Sequence, residues 1–255
     1  MSDLHVDFHK SKGLPPLAQG ADAVLIAGDV RNGLVPGVEA LRPAYPEPTE
    51  IFFTPGNHEF YSKHSFHENL ALGREAAARH RVHLLERDVC HLGGHIRIIG
   101  CTMWTDYCLL GDEWRDAAMR DAAATMNDHR RIKWSRDPWM RFRTTEARLL
   151  HLDSRAFVER ELAKPHIGRT ICLFHHAVTP EAIAPAERGH LSSAAYCSDL
   201  RSVFETDACD LVVTGHTHRS LDVRRGDVRY LSNPAGYAGE NKDFNSALVV
   251  EVPHA

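Results

Sequence analysis

Eight polar residues of this 255-residue chain stand where they could meet: Asp3, His5, Asp29, Asn57, His58, His175, His216 and His218. They fall in the stretches Asp3-x-His5, Gly28-Asp29, Gly56-Asn57-His58-Glu59, His175-His176 and Gly215-His216-Thr217-His218. Carboxylate, imidazole and one carboxamide oxygen are the donor set that suits Mn²⁺, Fe or Zn²⁺. The donors outnumber what one ion can use, so two divalent ions are implied. Taken singly, each residue has a plainer explanation: Asp29 could cap a helix, and Asn57 after Pro55-Gly56 could fill a turn. Capping does not explain why the histidines end apolar runs as well. The chain carries 18 histidines in all, and imidazole is both a common metal ligand and a proton carrier near neutral pH.

The elements that must position these groups are short apolar runs. AVLIAGDV (23–30), EIFFTPGNH (50–58), IRIIGCTMW (96–104), RTICLFHH (169–176) and DLVVTGHTH (210–218) read as buried strands, too short and too rich in β-branched residues for helices. DVRYLS (227–232) and NSALVVEV (245–252) read as two further strands paired antiparallel. Segments 65–80, 112–128 and 144–164 have the composition and spacing of amphipathic helices. Alternating strands and helices predict an α/β core in one domain spanning 1–255, and function in open α/β sheets gathers where strands end and loops begin. Asp7, His9, His64, His67, His80, His83, His91, His95, His129, His151, His166, His190 and His254 are expected at the surface. His176 is read as equally a support for the site and a packing residue.

Composition bounds the class. The formal net charge of -4 and the pI near 6.5 argue against a global field for nucleic acid. No run approaches the ~18 apolar residues of a membrane span, and the N-terminus lacks the basic and apolar regions of a signal peptide. The six cysteines form no C-x-x-C pair, which fits a reducing compartment, and a cytoplasmic location is the expectation.

In their order, DLH, GDV, GNHE, a strand ending in His, and GHTH resemble the calcineurin-like metallophosphoesterases, across essentially the whole chain. The spacing agrees, with 23 residues between His5 and Asp29 and 27 between Asp29 and Asn57. The resemblance implies a four-layer α-β-β-α sandwich, two packed mixed sheets flanked by helices. It assigns Asp3, His5 and His218 to one ion and Asn57, His175 and His216 to the other, with Asp29 bridging both. A carboxylate has two oxygens to share, whereas the Asn57 amide offers one. The same resemblance makes the activity hydrolysis of a phosphate ester: two ions acidify a water between them and clamp the phosphate oxygens. Asp29 and His58 are then catalytic, His58 contacting the phosphate and protonating the leaving oxygen, with Glu59 expected to orient it.

The sequence departs from the family pattern twice. Only Met1 and Ser2 precede Asp3, so either the natural start lies upstream or a short first strand is tolerated; fewer ladder bonds are expected to fix Asp3 and His5. GDVRNG (28–33) replaces the GDxVDRG of the Ser/Thr protein phosphatases and argues against that subfamily, with Arg31 or Asn32 as candidates to face the phosphate.

Substrate preference is less legible. An insertion at about 105–165 is expected to form a helical cap, carrying Trp114, Trp134, Trp139 and several arginines between 130 and 148. It could stack a base and hold a phosphate, or it could expose its arginines over buried tryptophans. Trp104 and Asp106, following a strand like the ligand-bearing ones, join Asn57 and His58 as substrate-binding candidates. The loop from Pro180 to Ser193 is expected at the rim. A phosphodiesterase acting on a small or nucleotide-like ester is the expected activity, a phosphomonoesterase or a nuclease the alternative within enzymes, and a non-catalytic protein-binding scaffold the alternative outside them.

Overall fold

The computed structural model describes residues 1–8, 13–204 and 208–252; His9 and His254 lie outside the described residues. Strands β1 (Ala23–Ala27), β2 (Glu50–Thr54) and β3 (His83–Leu84) form a three-stranded parallel sheet. A six-stranded mixed sheet runs β10 (Leu221–Arg225), β11 (Val228–Ser232), β9 (Leu211–Thr214), β8 (Arg169–Phe174), β5 (Ile96–Cys101) and β4 (Asp88–Leu92). Within it β11, β9, β8 and β5 are mutually parallel, and the two outer strands pair antiparallel to their neighbours.

Alternation along each strand decides what faces what. Phe52, Ile98, Ile171, Leu173, Leu211, Val213 and Leu231 turn into the space between the sheets. Their chain neighbours turn outward: Ile51 and Phe53 pack under α1 (Leu34–Ala44) and α2 (Phe66–His80), while Ile99, Cys172, Phe174 and Val212 pack against Phe157, Val158 and Leu162 of α5 (Thr144–Leu162). The result is an α/β sandwich, helices outside two face-to-face sheets.

Several expectations shift. NSALVVEV forms no strand among the described residues: Leu248, Val250 and Val252 rest half-buried against the inter-sheet core, but the segment makes no ladder with β11. The antiparallel partner of DVRYLS is instead the hairpin strand LDVRR (221–225), joined to it through Gly226 at φ +55°. The helix expected over 112–128 breaks into α3 (Arg115–Thr125) and the single turn α4 (Asp128–Arg131), interrupted by Met126 in extended conformation. The remainder of the insertion is a small hairpin, β6 (Lys133–Arg136) and β7 (Trp139–Arg141), and α5, whose later turns belong to the outer helical layer rather than to a cap. His151 is fully buried, because Ala147, Leu150, His151, Ser154 and Val158 form the inward stripe of α5. His129 is also buried, beside Phe142.

Candidate metal centre

The site lies at the C-terminal ends of β1, β2, β8 and β9, with Gly28, Gly56 and Gly215 in the turns after β1, β2 and β9. Residues 1–6 run alongside β1: Ala27 N donates to Met1 O, Asp3 N to Gly28 O, His5 N to Asp29 O and Val6 N to Val30 O. On the other side Ser2 N donates to Asn233 O, while Ala235 N and Gly236 N donate to Ser2 O and Asp3 O. Asp3 is therefore held by backbone bonds on both flanks and His5 on the β1 side, contrary to the expectation of a thinly fixed first strand.

Five of the candidate ligands take the left-handed backbone region: Asp3, His5, Asp29, His216 and His218, at φ between 41° and 67°. Non-glycine residues there cost about 1–2 kcal/mol each, which the surrounding bonds must offset. Gly28 (φ +80°) and Gly56 let these loops close up, since a Cβ on Gly28 would lie 2.5 Å from His175 Nδ1 and 2.6 Å from Gly56 N.

The structure brings all seven proposed ligands together. Three groups, Asp3–His5–His218, His5–Asp29–His58 and Asp29–His175–His216, each place their donor atoms within 4.8 Å of one another. Asn57 Oδ1 joins the last at 3.1 Å from His175 Nε2. The proton positions argue that a cation belongs here. His175 Nδ1 faces the Ala27 carbonyl at 2.8 Å, and a carbonyl only accepts, so Nδ1 carries the proton and Nε2 a lone pair. That lone pair lies 3.0 Å from His216 Nδ1, which can donate to it, and also confronts two further acceptors, Asn57 Oδ1 at 3.1 Å and Asp29 Oδ2 at 3.6 Å. Burial lowers the His175 pKa and so disfavours a second proton on the ring, which leaves Asn57 Oδ1 and Asp29 Oδ2 without a donor from it. Buried acceptors aimed at one another are costly without a positive charge between them. His5 Nδ1 and His216 Nε2 are likewise buried with no hydrogen-bond partner among the described residues.

In the other half His218 lies between Glu240, Asp3 and His5. Burial alone would lower the His218 pKa, but bonds and charge from Asp3 and Glu240 outweigh it and raise the group to about 9. Its Nδ1 donates to Glu240 Oε2 at 2.6 Å, and its Nε2 lies 3.4 Å from Asp3 Oδ1 and 3.1 Å from His5 Nε2. Asp3 is held well below the carboxylate range: burial opposes this, and His218, His175 and His5 overcome it. Asp29 goes the other way, pushed well up by burial and then by Glu59 and Asp3.

Glu59 does not touch His58. Its carboxylate is fully buried and accepts backbone N–H groups of Asp29 (2.8 Å), Gly56 (2.7 Å), Val30 (2.8 Å) and Arg31 (3.3 Å), which ties the Asp29 and Asn57 loops together. Asn32 orients His58 instead, its Oδ1 3.1 Å from His58 Nδ1 while its Nδ2 donates to Asp7. His176 packs its ring against His216 at 4.1 Å between centroids and bonds the Thr102 carbonyl.

Above the cluster opens a cavity of about 460 Å³, floored by Asp29, Asn57, His58, His216 and His218. Its walls are Tyr61, the Thr125–Asn127 turn of the insertion, residues 182–184, Glu187, His190, Tyr196, Arg219, Tyr237 and Glu240. Trp104 and Asp106 are not among them. Trp104 is buried among Phe60, Phe66, Phe142 and His176, and Asp106 accepts bonds from Ser198 Oγ and Cys108 N. The strand before them ends behind the aromatic cluster of the insertion, which seals them from the cleft. Neither Arg31 nor any tryptophan or arginine of the insertion lines the cavity, and Trp114 and Trp139 face outward. Tyr61, Asp128, Tyr237 and Glu240 escape a reading of the sequence; none stands in a motif, and only their long-range contacts mark them.

A buried His/Asp cluster at the strand ends of an α/β sandwich marks a metal-dependent hydrolase. The calcineurin-like phosphoesterase family model matches residues 1–220, and the chain belongs to that family. In fold it is similar to phosphopantetheinyl hydrolase (PptH) from Mycobacterium tuberculosis, at 16% identity and a TM-score of 0.68, over 94% of this chain and 89% of that one. A second solved chain aligns at 12% identity and a TM-score of 0.51, over 85% and 80% of the two chains. TT1561 of Thermus thermophilus aligns at 13% and 0.43, over 84% and 77%. No curated protein sequence matches the chain. Among the described residues no helix is long and apolar enough to cross a membrane.

Proposed function

We propose that the protein hydrolyses small phosphodiesters with two divalent ions, Mn²⁺, Fe or Zn²⁺, acting as one domain from 1 to 255 in a reducing, cytoplasmic setting. Asp3, His5 and His218 would hold one ion and Asn57, His175 and His216 the other, with Asp29, whose Oδ2 faces both His5 and His175 while Oδ1 accepts the His58 N–H, serving both. When bound, such a pair acidifies a water nucleophile and draws charge from the phosphate oxygens. The chain's own residues do the rest. Asn32 Oδ1 accepts the Nδ1 proton of His58, which leaves Nε2 turned toward the cavity and the departing oxygen. Burial, then the neighbouring His5 and His175, push His58 down to about 2 against the pull of Asp3; an anionic ester in the cleft raises that value and lets it carry a proton. The Tyr237 phenol, 3.4 Å from His58 Nε2 and pushed up to about 12 by burial and then Asp29, stays protonated and available to a phosphate oxygen.

The observation carrying this reading is the set of inward-turned acceptors under a walled cavity. That enclosure favours a small ester over a nucleic acid, because the basic segment 130–148 does not reach it. Preference for diesters follows the family resemblance, and a phosphopantetheinyl ester, after the name of the solved protein similar in fold, is a reasonable first substrate. The test adds Mn²⁺, Zn²⁺ or Fe²⁺ to metal-stripped protein and measures hydrolysis of bis- and mono-nitrophenyl phosphate. Metal-restored activity with the diester faster is expected. Hydrolysis of neither ester under any metal removes the reading, and a faster monoester replaces it with a phosphomonoesterase.

A further inference from the structure

Most candidate ligands are aimed by their backbone at a strand end. Asn57 is aimed by the insertion. Its Nδ2 donates to Asp128 Oδ1 at 2.7 Å and to Tyr61 Oη at 3.1 Å, and the Tyr61 hydroxyl donates to the same Asp128 oxygen. Asp128 sits 71 residues away in sequence, is 4% exposed, and opens α4 directly after the Thr125–Asn127 turn that walls the cavity.

A carboxamide can turn end for end with almost no change of shape. The reversed Asn57 would point an N–H at His175 Nε2, beside His216 Nδ1, and set a donor where a metal needs an acceptor. What opposes it is Asp128: a carboxylate only accepts, so a reversed Asn57 would turn its oxygen onto a buried anion.

We propose that Asp128 is a positioning residue which, with Tyr61, locks the Asn57 carboxamide oxygen toward His175 and thereby sets the metal affinity of the His175–His216 half of the centre. This rests on the two-ion reading above. The insertion is then part of the metal centre, not only a cover over it.

The test is calorimetric titration of Mn²⁺ into the metal-stripped full chain, with thermal unfolding followed in parallel. Wild type should take up two equivalents. Asp128→Ala should weaken one of them about 10–100-fold, the usual cost of losing an outer partner of a metal ligand, and leave the other in place. Tyr61→Phe, which keeps the Asp128 bond, should weaken the same one less. The decisive comparison reverses the polarity of the pair: Asn57→Asp alone opposes two buried carboxylates, whereas Asn57→Asp with Asp128→Asn lets the new amide donate to the outer oxygen and should bind Mn²⁺ more tightly than the single variant. If Asp128→Ala does not fold, that comparison decides by itself. A folded Asp128→Ala with both affinities unchanged, equal weakening of both equivalents, or a double variant no tighter than Asn57→Asp overturns the inference and leaves the proposed function standing. A wild-type chain that binds no Mn²⁺ overturns both.

Discussion

Glu59→Gln isolates what a single buried carboxylate does for the site's architecture. Each Glu59 oxygen accepts two backbone N–H groups, Oε2 from Asp29 and Gly56 and Oε1 from Val30 and Arg31. Glutamine keeps the shape but has one acceptor oxygen, so its amide nitrogen faces two donors that lose their partner. Orphaning a buried donor costs about 1–3 kcal/mol, and two give about 2–6 kcal/mol before relaxation. Part of this is returned, because Glu59 is itself uncomfortable: burial raises its pKa to about 7 even against four backbone bonds. A net loss of about 2–4 kcal/mol is expected, which for a chain of this size lowers the midpoint of thermal unfolding by roughly 4–8 °C. The loops carrying Asp29 and Asn57 would also separate, and misplacement by about 1 Å can cost 10²-fold in turnover. Scanning calorimetry in EDTA reads the stability and nitrophenyl-ester kinetics under Mn²⁺ the activity. A variant melting within about 1 °C of wild type, with unchanged kcat/KM, would refute the view that Glu59 cross-ties the loops.

Other outcomes follow from the same geometry. Asp29→Asn removes the one carboxylate shared by both halves and should abolish hydrolysis while lowering bound metal, read by elemental analysis; full occupancy and activity would contradict it. His58→Ala should keep its metals and slow esters of poor leaving groups most, since a good leaving group hardly needs a proton; equal slowing across a leaving-group series argues against the acid role. Glu181 is held at about 2, its bonds to Thr179 and Arg225 outweighing burial. Its folded pKa is depressed, so it adds stability above the ordinary value of 4.5, and that stability fades as pH falls through the folded value. Glu181→Gln should therefore lose about 1 kcal/mol at neutral pH and nothing at the acid end, checked by unfolding curves across that window.

The ligand residues are legible in the sequence because each combines a metal-binding side chain with the end of an apolar run, and strand ends on one edge of a sandwich converge. His151 is legible in principle as well: it shares the helical stripe of Leu150, Ser154 and Val158, and residue type alone is what sets it at the surface. Asp128 is not, since Asn127-Asp128 before a short helix reads as an ordinary start, and its bond to Asn57 exists only in three dimensions. Trp104 misleads for the same reason, its strand resembling the ligand-bearing ones while the insertion closes over it. NSALVVEV has strand-like alternation and buries Leu248, Val250 and Val252, yet without a neighbouring ladder it makes no strand. Composition can indicate which face is apolar; pairing depends on what lies beside it.

The central claim is that side chains remote in sequence hold a pair of cations about Asp29. Anomalous diffraction at the manganese edge from crystals grown with Mn²⁺ tests it most directly. Two peaks about 3.5–4 Å apart are predicted, one beside Asp3, His5 and His218, the other beside Asn57, His175 and His216, with Asp29 between them. No peak at that cluster, or a lone one that leaves Asp29 untouched, would contradict the account.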